Sequence, residues 1–379
     1  MRIFENLDYN FLGKRKLAYI LSSSLFLIGL ISVIIRGFEF GIDFKGGSEI
    51  VLQFNKPVNI AEVRADVENI GLGNVEVKTF GGETGIMIRT EEQVIPVNIY
   101  PRVVKSIENE IEKKFPGLER KIIDSTANSI TFEFSNAEIT DNVIDDLLQS
   151  GFQSGKISEE PDNNQMIVRV GIADWIKDNL SKKISDNPFT VLKEERVGPK
   201  IGKELKEDAV LAIFFALIVI LIYLAFRFKF IFAFGAVTAL FHDVLITLGL
   251  FSLLYGVIPG LNLEIDITVV AAFLTLVGYS INDTVIVFDR IRENMKIHKT
   301  RPIMEIINTS ISQTMSRTVL TGGTTLLTVF ALLIFGGDVL RAFAFTLLFG
   351  IIIGTYSSIF VASALVYEYT KKTGKKLEF

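Results

Sequence analysis

The sequence predicts a membrane α-helical bundle of six transmembrane helices, with an extracytoplasmic α+β domain set between its first two helices. Three observations predict it. Six apolar stretches reach the length of about 20 helical residues that a hydrocarbon core of about 30 Å requires. Basic residues gather at every second junction between those stretches, as the positive-inside rule demands. Between the first two stretches, residues 36–208 hold no apolar run of spanning length and instead alternate strand and helix patterns.

The composition fits a chain of two natures. The 379 residues are 49% apolar yet 22% charged, with a positive mean hydropathy, so membrane and water-soluble parts coexist. The absence of cysteine removes disulfides and thiolate metal or redox chemistry. His242 and His298 are too few for an all-histidine metal site and too far apart for an H-E-x-x-H pair. A formal net charge of −4 leaves no electrostatic footprint for nucleic acid.

Residues 1–16 are expected to form a cytoplasmic N-terminus ending in Lys14, Arg15 and Lys16, followed by a first span at 17–35. The apolar run is too long for a signal peptide, and Arg36-Gly37-Phe38 offers no small-residue cleavage site, so an uncleaved anchor is expected. In the extracytoplasmic domain, 36–208, strand patterns at 49–54, 75–80 and 85–89 and helix patterns at 60–70 and 103–115 give a βαββα order. That order is the split βαβ, ferredoxin-like arrangement. A second set follows, with strands near 129–134, 166–170 and 190–195 and helices near 141–148 and 172–183. The domain is therefore either duplicated or carries an insertion, at about 118–185. Gly198-Pro199-Lys200-Ile201-Gly202-Lys203 is one residue short of a phosphate-binding loop, and Glu204 replaces its Ser or Thr, so it reads as a turn into the second span.

The remaining spans, within a bundle at 209–367, are expected near 209–226, 230–256, 267–288, 319–335 and 342–367. Arg227 and Lys229, then Arg290, Arg292, Lys296, Lys299, Arg301 and Arg317, mark the cytoplasmic junctions. The other short junctions carry acids or little charge, which puts both termini, including a tail at 368–379, in the cytoplasm. In the cytoplasmic loop 289–318, Pro302 precedes apolar Ile303, Ile306, Ile307, Ile311 and Met315 with polar residues between. That pattern implies a surface-lying amphipathic helix or an elbow that re-enters the bilayer.

Charged and polar groups inside the spans are the functional candidates. An ionised carboxylate at mid-bilayer costs on the order of 3 kcal/mol, so such a residue usually faces a bundle interior. Asp243 sits near the middle of the third span, where it is either a proton carrier or a structural hydrogen-bonding group between helices. His242 is its neighbour, but adjacent helical positions diverge by about 100°, so the two side chains need not touch. Asn282 and Asp283 close the fourth span, Asp283 being either solvated, paired with Arg317, or a second proton site. Thr321, Thr325 and Thr328, with Thr324 beside them, continue a polar seam or serve interhelical packing. Gly350, Gly354, Ser358 and Ala362 repeat every four residues and form a close-packing face, toward this chain or a partner.

Several motifs together resemble the SecD/SecF family of the resistance-nodulation-division superfamily. Phe40-Gly41-Ile42-Asp43-Phe44-Lys45-Gly46-Gly47-Ser48 is similar to the family's G-x-D-F-x-G-G signature. Val197-Gly198-Pro199-Lys200-Ile201-Gly202, Phe241-His242-Asp243-Val244, the run from Gly278 through Asn282 and Asp283 to Asn294, and Ser316-Arg317-Thr318 with Thr321-Gly322-Gly323-Thr324 extend the match. The resemblance implies one half of a proton-driven RND-type unit, with Asp243 in a proton-coupling role. Asn282, Asp283, Arg317, Thr321 and Thr325 complete the candidate set. It further implies a SecD-like subunit, the SecYEG translocon and a translocating preprotein as partners, with membrane lipid around the bundle and no nucleic acid. Protons would be the coupling ion, with no other cofactor, no metal and no enzymatic chemistry. The alternatives are an RND-type exporter of small molecules or lipids, and a passive assembly factor of the translocon. The domain at 36–208 is longer than the single small module usual in this family.

Overall fold

The structure, a computed structural model, describes residues 9–373 apart from 127, 159, 161 and 259. The first eight residues of the expected N-terminus and the last six of the expected tail lie outside the described residues. The chain divides into two compact units, one formed by residues up to 41 and from 204 onward, the other by residues 42–203.

Helix α1, Arg15–Arg36, ends on Gly37 at φ 70°, a left-handed position that favours glycine. The soluble unit then runs α2 (Ile42–Lys45), β1 (Gly47–Phe54), α3 (Ile60–Asn69), β2 (Val75–Thr79), β3 (Gly85–Thr90), α4 (Tyr100–Lys114), β4 (Lys121–Thr126) and β5 (Ser129–Glu133). It continues with α5 (Ala137–Gln149), β6 (Gln153–Lys156), β7 (Gln165–Arg169), α6 (Ile172–Lys183) and β8 (Phe189–Val197). Asn59 and Asn136 cap α3 and α5 by accepting from Ala61 N at 3.0 Å and Ile139 N at 2.8 Å.

The strands make two antiparallel four-stranded sheets, ordered β2-β3-β1-β8 and β4-β5-β7-β6. The duplication that the sequence left open is present in an interleaved form. Two consecutive βαββαβ units, β1 to β4 and β5 to β8, have exchanged their last helix and strand. Strand β8 closes the first sheet against β1, β4 closes the second against β5, α6 packs on α3 and β1, and α4 packs on α5. Helix α6, inside the segment expected as an insertion, thus lies on the first sheet. One apolar core runs through both sheets, from Ile50 and Leu52 to Phe132, Val168 and Trp175. On the opposite face of the first sheet, Glu49 is held by Arg89 at 2.6 Å and Lys193 at 3.2 Å. Burial opposes the Lys193 charge, but Glu195 and Glu49 outweigh it and hold the ammonium above its ordinary range.

The membrane unit adds α7 (Pro199–Arg227), α8 (Phe230–Leu254), α9 (Ile267–Ile297) and α10 (Ile303–Phe335). A sixth segment is built from α11 (Gly337–Ser357), a π-helical turn (Ser358–Ala362) and α12 (Ser363–Thr373). Six helical segments are long and apolar enough to cross a membrane. Helices α8, α9 and the sixth segment are the most enclosed, and α1, α7 and α10 are the most open. Helix α1 crosses α8 where a Cβ on Gly249 would stand 2.8 Å from the Gly29 Cα, and the Ser32 and Ser252 hydroxyls meet at 2.9 Å.

Of the two readings for 289–318, the separate surface-lying helix is corrected. No separate surface helix forms, because Ile303–Phe335 is one continuous helix. Its apolar residues Ile307 and Ile311 are buried in this chain's own core with Leu12, Phe228, Phe232 and Phe288. Asn308 accepts from Leu12 N at 3.0 Å, and Asn294 of α9 donates to Ser310 at 2.8 Å, which ties the corner down.

Candidate functional site

Asp243 lies on α8 at the centre of the bundle, where its side chain is 1% exposed. Such burial demands hydrogen-bond partners. Its Oδ2 accepts from Ser280 of α9 and from Ser357 of α11, each at 2.8 Å. Its Oδ1 lies 3.0 Å from His242 Nδ1, so the carboxyl is held from three helices. The small-residue stripe makes this possible. A Cβ on Gly354 would stand 2.8 Å from Ser280 Oγ and 3.4 Å from Asp243 Oδ2, and one on Gly350 would collide with Leu276. That stripe therefore packs on the fourth span of this chain.

Contact between His242 and Asp243, which helical spacing leaves open, is made here. The imidazole folds back along its own helix, and its Nε2 then reaches Ser22 of α1 at 3.0 Å. Ser22 Oγ in turn lies 3.0 Å from Tyr356 of α11, which donates to the Ala18 carbonyl at 2.8 Å. The sixth segment turns π-helical at Ser358, directly after Ser357, the kind of irregularity that often marks function.

The other expected residues divide. Asp283 is 4% exposed and accepts a long hydrogen bond from Thr355 at 3.4 Å, so it is buried rather than solvated. Among the described residues no ion pair joins it to Arg317. Thr325 meets Tyr279 of α9 at 3.3 Å and bonds its own helix at Thr321 O. Asn282, Arg317, Thr321, Thr324, Thr328 and Gly278 are exposed on this chain. Ser22, Ser280, Tyr356 and Ser357 were not singled out as site residues by sequence reasoning. A hydroxyl within an apolar span has few partners, which was the available signal.

The glycine motifs meet in the soluble unit. Gly46 and Gly47 take φ of 75° and 115°, and a Cβ on Gly47 would stand 2.2 Å from Thr90 O. Gly202 lies against the backbone of Asp43 and Phe44, at 3.1 and 3.2 Å from where its Cβ would be, while its N–H bonds Gly198 O at 2.9 Å. Gly41 donates to Ile265 O at 2.8 Å in the membrane unit.

Residues 176–372 match the family model for protein export membrane protein SecD/SecF, C-terminal, and residues 31–58 match the SecD/SecF GG motif. The chain is 41% identical over 368 residues to the protein translocase subunit SecF of Rhodothermus marinus, covering 97% of this chain and 95% of that protein. The chain belongs to the SecD/SecF family. The SecF subunit of Calditerrivibrio nitroreducens is 36% identical, covering 95% of this chain and 93% of its own. Among solved structures, SecDF of Thermus thermophilus, described as a translocon-associated membrane protein, matches at 29% identity and a TM-score of 0.65. The match covers 98% of this chain and 40% of that one, so the chain spans less than half of SecDF. A SecDF structure in a super-membrane-facing form matches with a TM-score of 0.56 at 31% identity, covering 97% of this chain and 40% of that one. This SecD/SecF member is a multi-pass membrane protein whose curated relatives are named translocase subunits.

Proposed function

We propose that this chain is a SecF-like subunit that uses the proton motive force, with a SecD-like partner, to promote preprotein export through the SecYEG translocon. The observation that carries the proposal is Asp243, a carboxyl enclosed at mid-span and held by groups from three helices. Its partners favour different protonation states. The serine hydroxyls donate to it when it is charged, and a neutral imidazole can accept its proton when it is not. Gain and loss of a proton therefore change how strongly the two serine hydroxyls tie α8 to α9 and to the sixth segment, because a charged acceptor is bound more tightly than a neutral one. A proton crossing 100 mV contributes about 2.3 kcal/mol, enough to bias two helix packings of similar energy. Protons are the coupling ion in this account, and no other cofactor enters.

The chain leaves the membrane unit at residue 41 and returns at residue 204, the return lying within the single helix α7. A change in helix packing has these two segments through which to reach the extracytoplasmic domain, which would hold preprotein leaving the channel. The exposed polar positions Asn282, Arg317, Thr321 and Thr324, with Gly278 beside them, suit a face that a SecD-like subunit covers, since polar groups facing lipid are costly. The basic junctions support cytoplasmic termini in a bacterial inner membrane.

The test is reconstitution in vesicles with SecYEG, a SecD-like partner and a trapped preprotein. Completion of translocation is expected to accelerate when a proton gradient is imposed, and only when both subunits are present. Equal rates with and without the gradient would remove the proton-driven reading and leave a passive assembly role.

A further inference from the structure

The Asp243 side chain continues into a hydrogen-bond chain that leaves the bundle centre and ends on the first helix. The links are Asp243 Oδ1 to His242 Nδ1 at 3.0 Å, His242 Nε2 to Ser22 Oγ at 3.0 Å, Ser22 Oγ to Tyr356 OH at 3.0 Å, and Tyr356 OH to Ala18 O at 2.8 Å. Its polarity follows from its far end. A carbonyl oxygen only accepts, so Tyr356 spends its single hydrogen on Ala18. Ser22 must then donate to Tyr356, and its oxygen accepts from His242. Nε2 therefore carries a hydrogen. With Nε2 occupied, the contact between Nδ1 and Oδ1 holds one further hydrogen, on the carboxyl or on the ring. The geometry seen is that of a pair that holds its proton.

We propose that Asp243 and His242 share the coupling proton, and that its presence sets the direction of the chain through Ser22 and Tyr356 that ties the sixth segment to the first span. The proposal rests on the proton-coupling role given above to Asp243. When the pair loses a proton, the Asp243 carboxylate needs a donor, and the ring supplies it from Nδ1. The hydrogen shared at Oδ1 stays on Nδ1, the hydrogen on Nε2 leaves to water, and the pair falls by one proton in all. The bare Nε2 now accepts from Ser22. Ser22 then accepts from Tyr356, which turns its hydrogen away from Ala18. The links from His242 through Ser22 to Tyr356 reverse, and the sixth segment loses its bond to the Ala18 carbonyl of the first span while Tyr356 still holds that span at Ser22. The same step that empties the site thereby leaves one of the two hydrogen bonds by which Tyr356 holds the first span.

Titratable groups on the elements packed against α8 include Arg15, Tyr19 and Arg36 on α1, Tyr279 and Asp283 on α9, and Tyr356 and Glu368 on the sixth segment, with Arg36 bonded to the Leu253 carbonyl at the far end of α8. Arg15 and Glu368 neutralise each other at 2.6 Å, and Asp283 takes its hydrogen bond from Thr355. Among the described residues none of these groups bonds the imidazole directly, and Tyr356 reaches it through Ser22. His242 and Ser22 are thus positioning and proton-sharing groups for the reaction at Asp243.

The test reads the ring directly. The chain has two histidines, so a His298→Gln background with 15N-labelled histidine leaves one imidazole to observe in the full chain, reconstituted in lipid bilayers. At low pH the Nε2 nitrogen is expected to carry hydrogen. As pH rises it is expected to lose that hydrogen while Nδ1 keeps one, the reverse of the tautomer that free histidine prefers. In Asp243→Asn the Nδ1 tautomer should not appear, and in Tyr356→Phe the preference for Nε2–H at low pH should weaken. An imidazole that settles with hydrogen on Nε2 at high pH, or one that does not change, would overturn the proposal. If the tautomer switches while Asp243→Asn still exports in response to the gradient, the hydrogen-bond chain stands and the coupling role of Asp243 fails. If that variant loses its response while the tautomer never switches, the function stands and the relay fails.

Discussion

Asp243 draws on three side chains, and each has a different consequence when removed. Ser280→Ala or Ser357→Ala deletes one donor to Oδ2 and leaves the other, at a cost of about 1–2 kcal/mol. Each is expected to slow gradient-dependent export by roughly five- to thirty-fold, with the double variant worse, and unchanged rates in both would show that the serines are spectators. Gly354→Val puts branched carbon where Ser280 Oγ stands 2.8 Å from an added Cβ, and is expected to abolish coupling in assembled complex. At this scale the sequence was half legible. Asp243 stood out because a carboxylate in an apolar span is costly. His242 did not, because helical spacing says where a Cβ points and not where a flexible imidazole ring ends.

The elements teach a similar lesson. Spans were legible from length and apolarity, yet the start of α10 was not, since Ile307 and Ile311 give the same spacing whether they face lipid or Phe232 and Phe288. The crossing of α1 on α8 depends on Gly29 and Gly249. Gly249→Leu is expected to destabilise the membrane unit by about 1–3 kcal/mol, read as a lower Tm in detergent, whereas Ser32→Ala should cost about 1 kcal/mol. Equal Tm values for Gly249→Leu and the parent would mean that the two helices separate without penalty. Strand patterns were legible for most of β1 to β8, but the exchange of β4 and β8 was not. Strand β4 is exposed along its whole length and carries no alternation to read, and only long-range pairing decides which sheet each strand closes.

For the molecule as a whole, the exchange makes the soluble unit indivisible. The fragment 42–203 carries its own continuous core and is expected to unfold in one cooperative transition, followed by circular dichroism. The fragment 42–126 contains a complete βαββαβ order but lacks α6 and β8, so it is expected to remain unfolded. A folded 42–126 would mean that β4 can replace β8 on β1. The size of this domain and the six spans were visible in the sequence, which left duplication and insertion as equal alternatives. In the proposed account, protonation of one enclosed carboxyl joins them into a machine, and that is tested most directly by Asp243→Asn in vesicles holding the translocon, the SecD-like partner and a trapped preprotein. Asparagine keeps the size and polarity of the side chain but does not titrate. The account expects the complex to assemble and the acceleration by an imposed proton gradient to vanish. A variant that responds to the gradient as the parent does would contradict it.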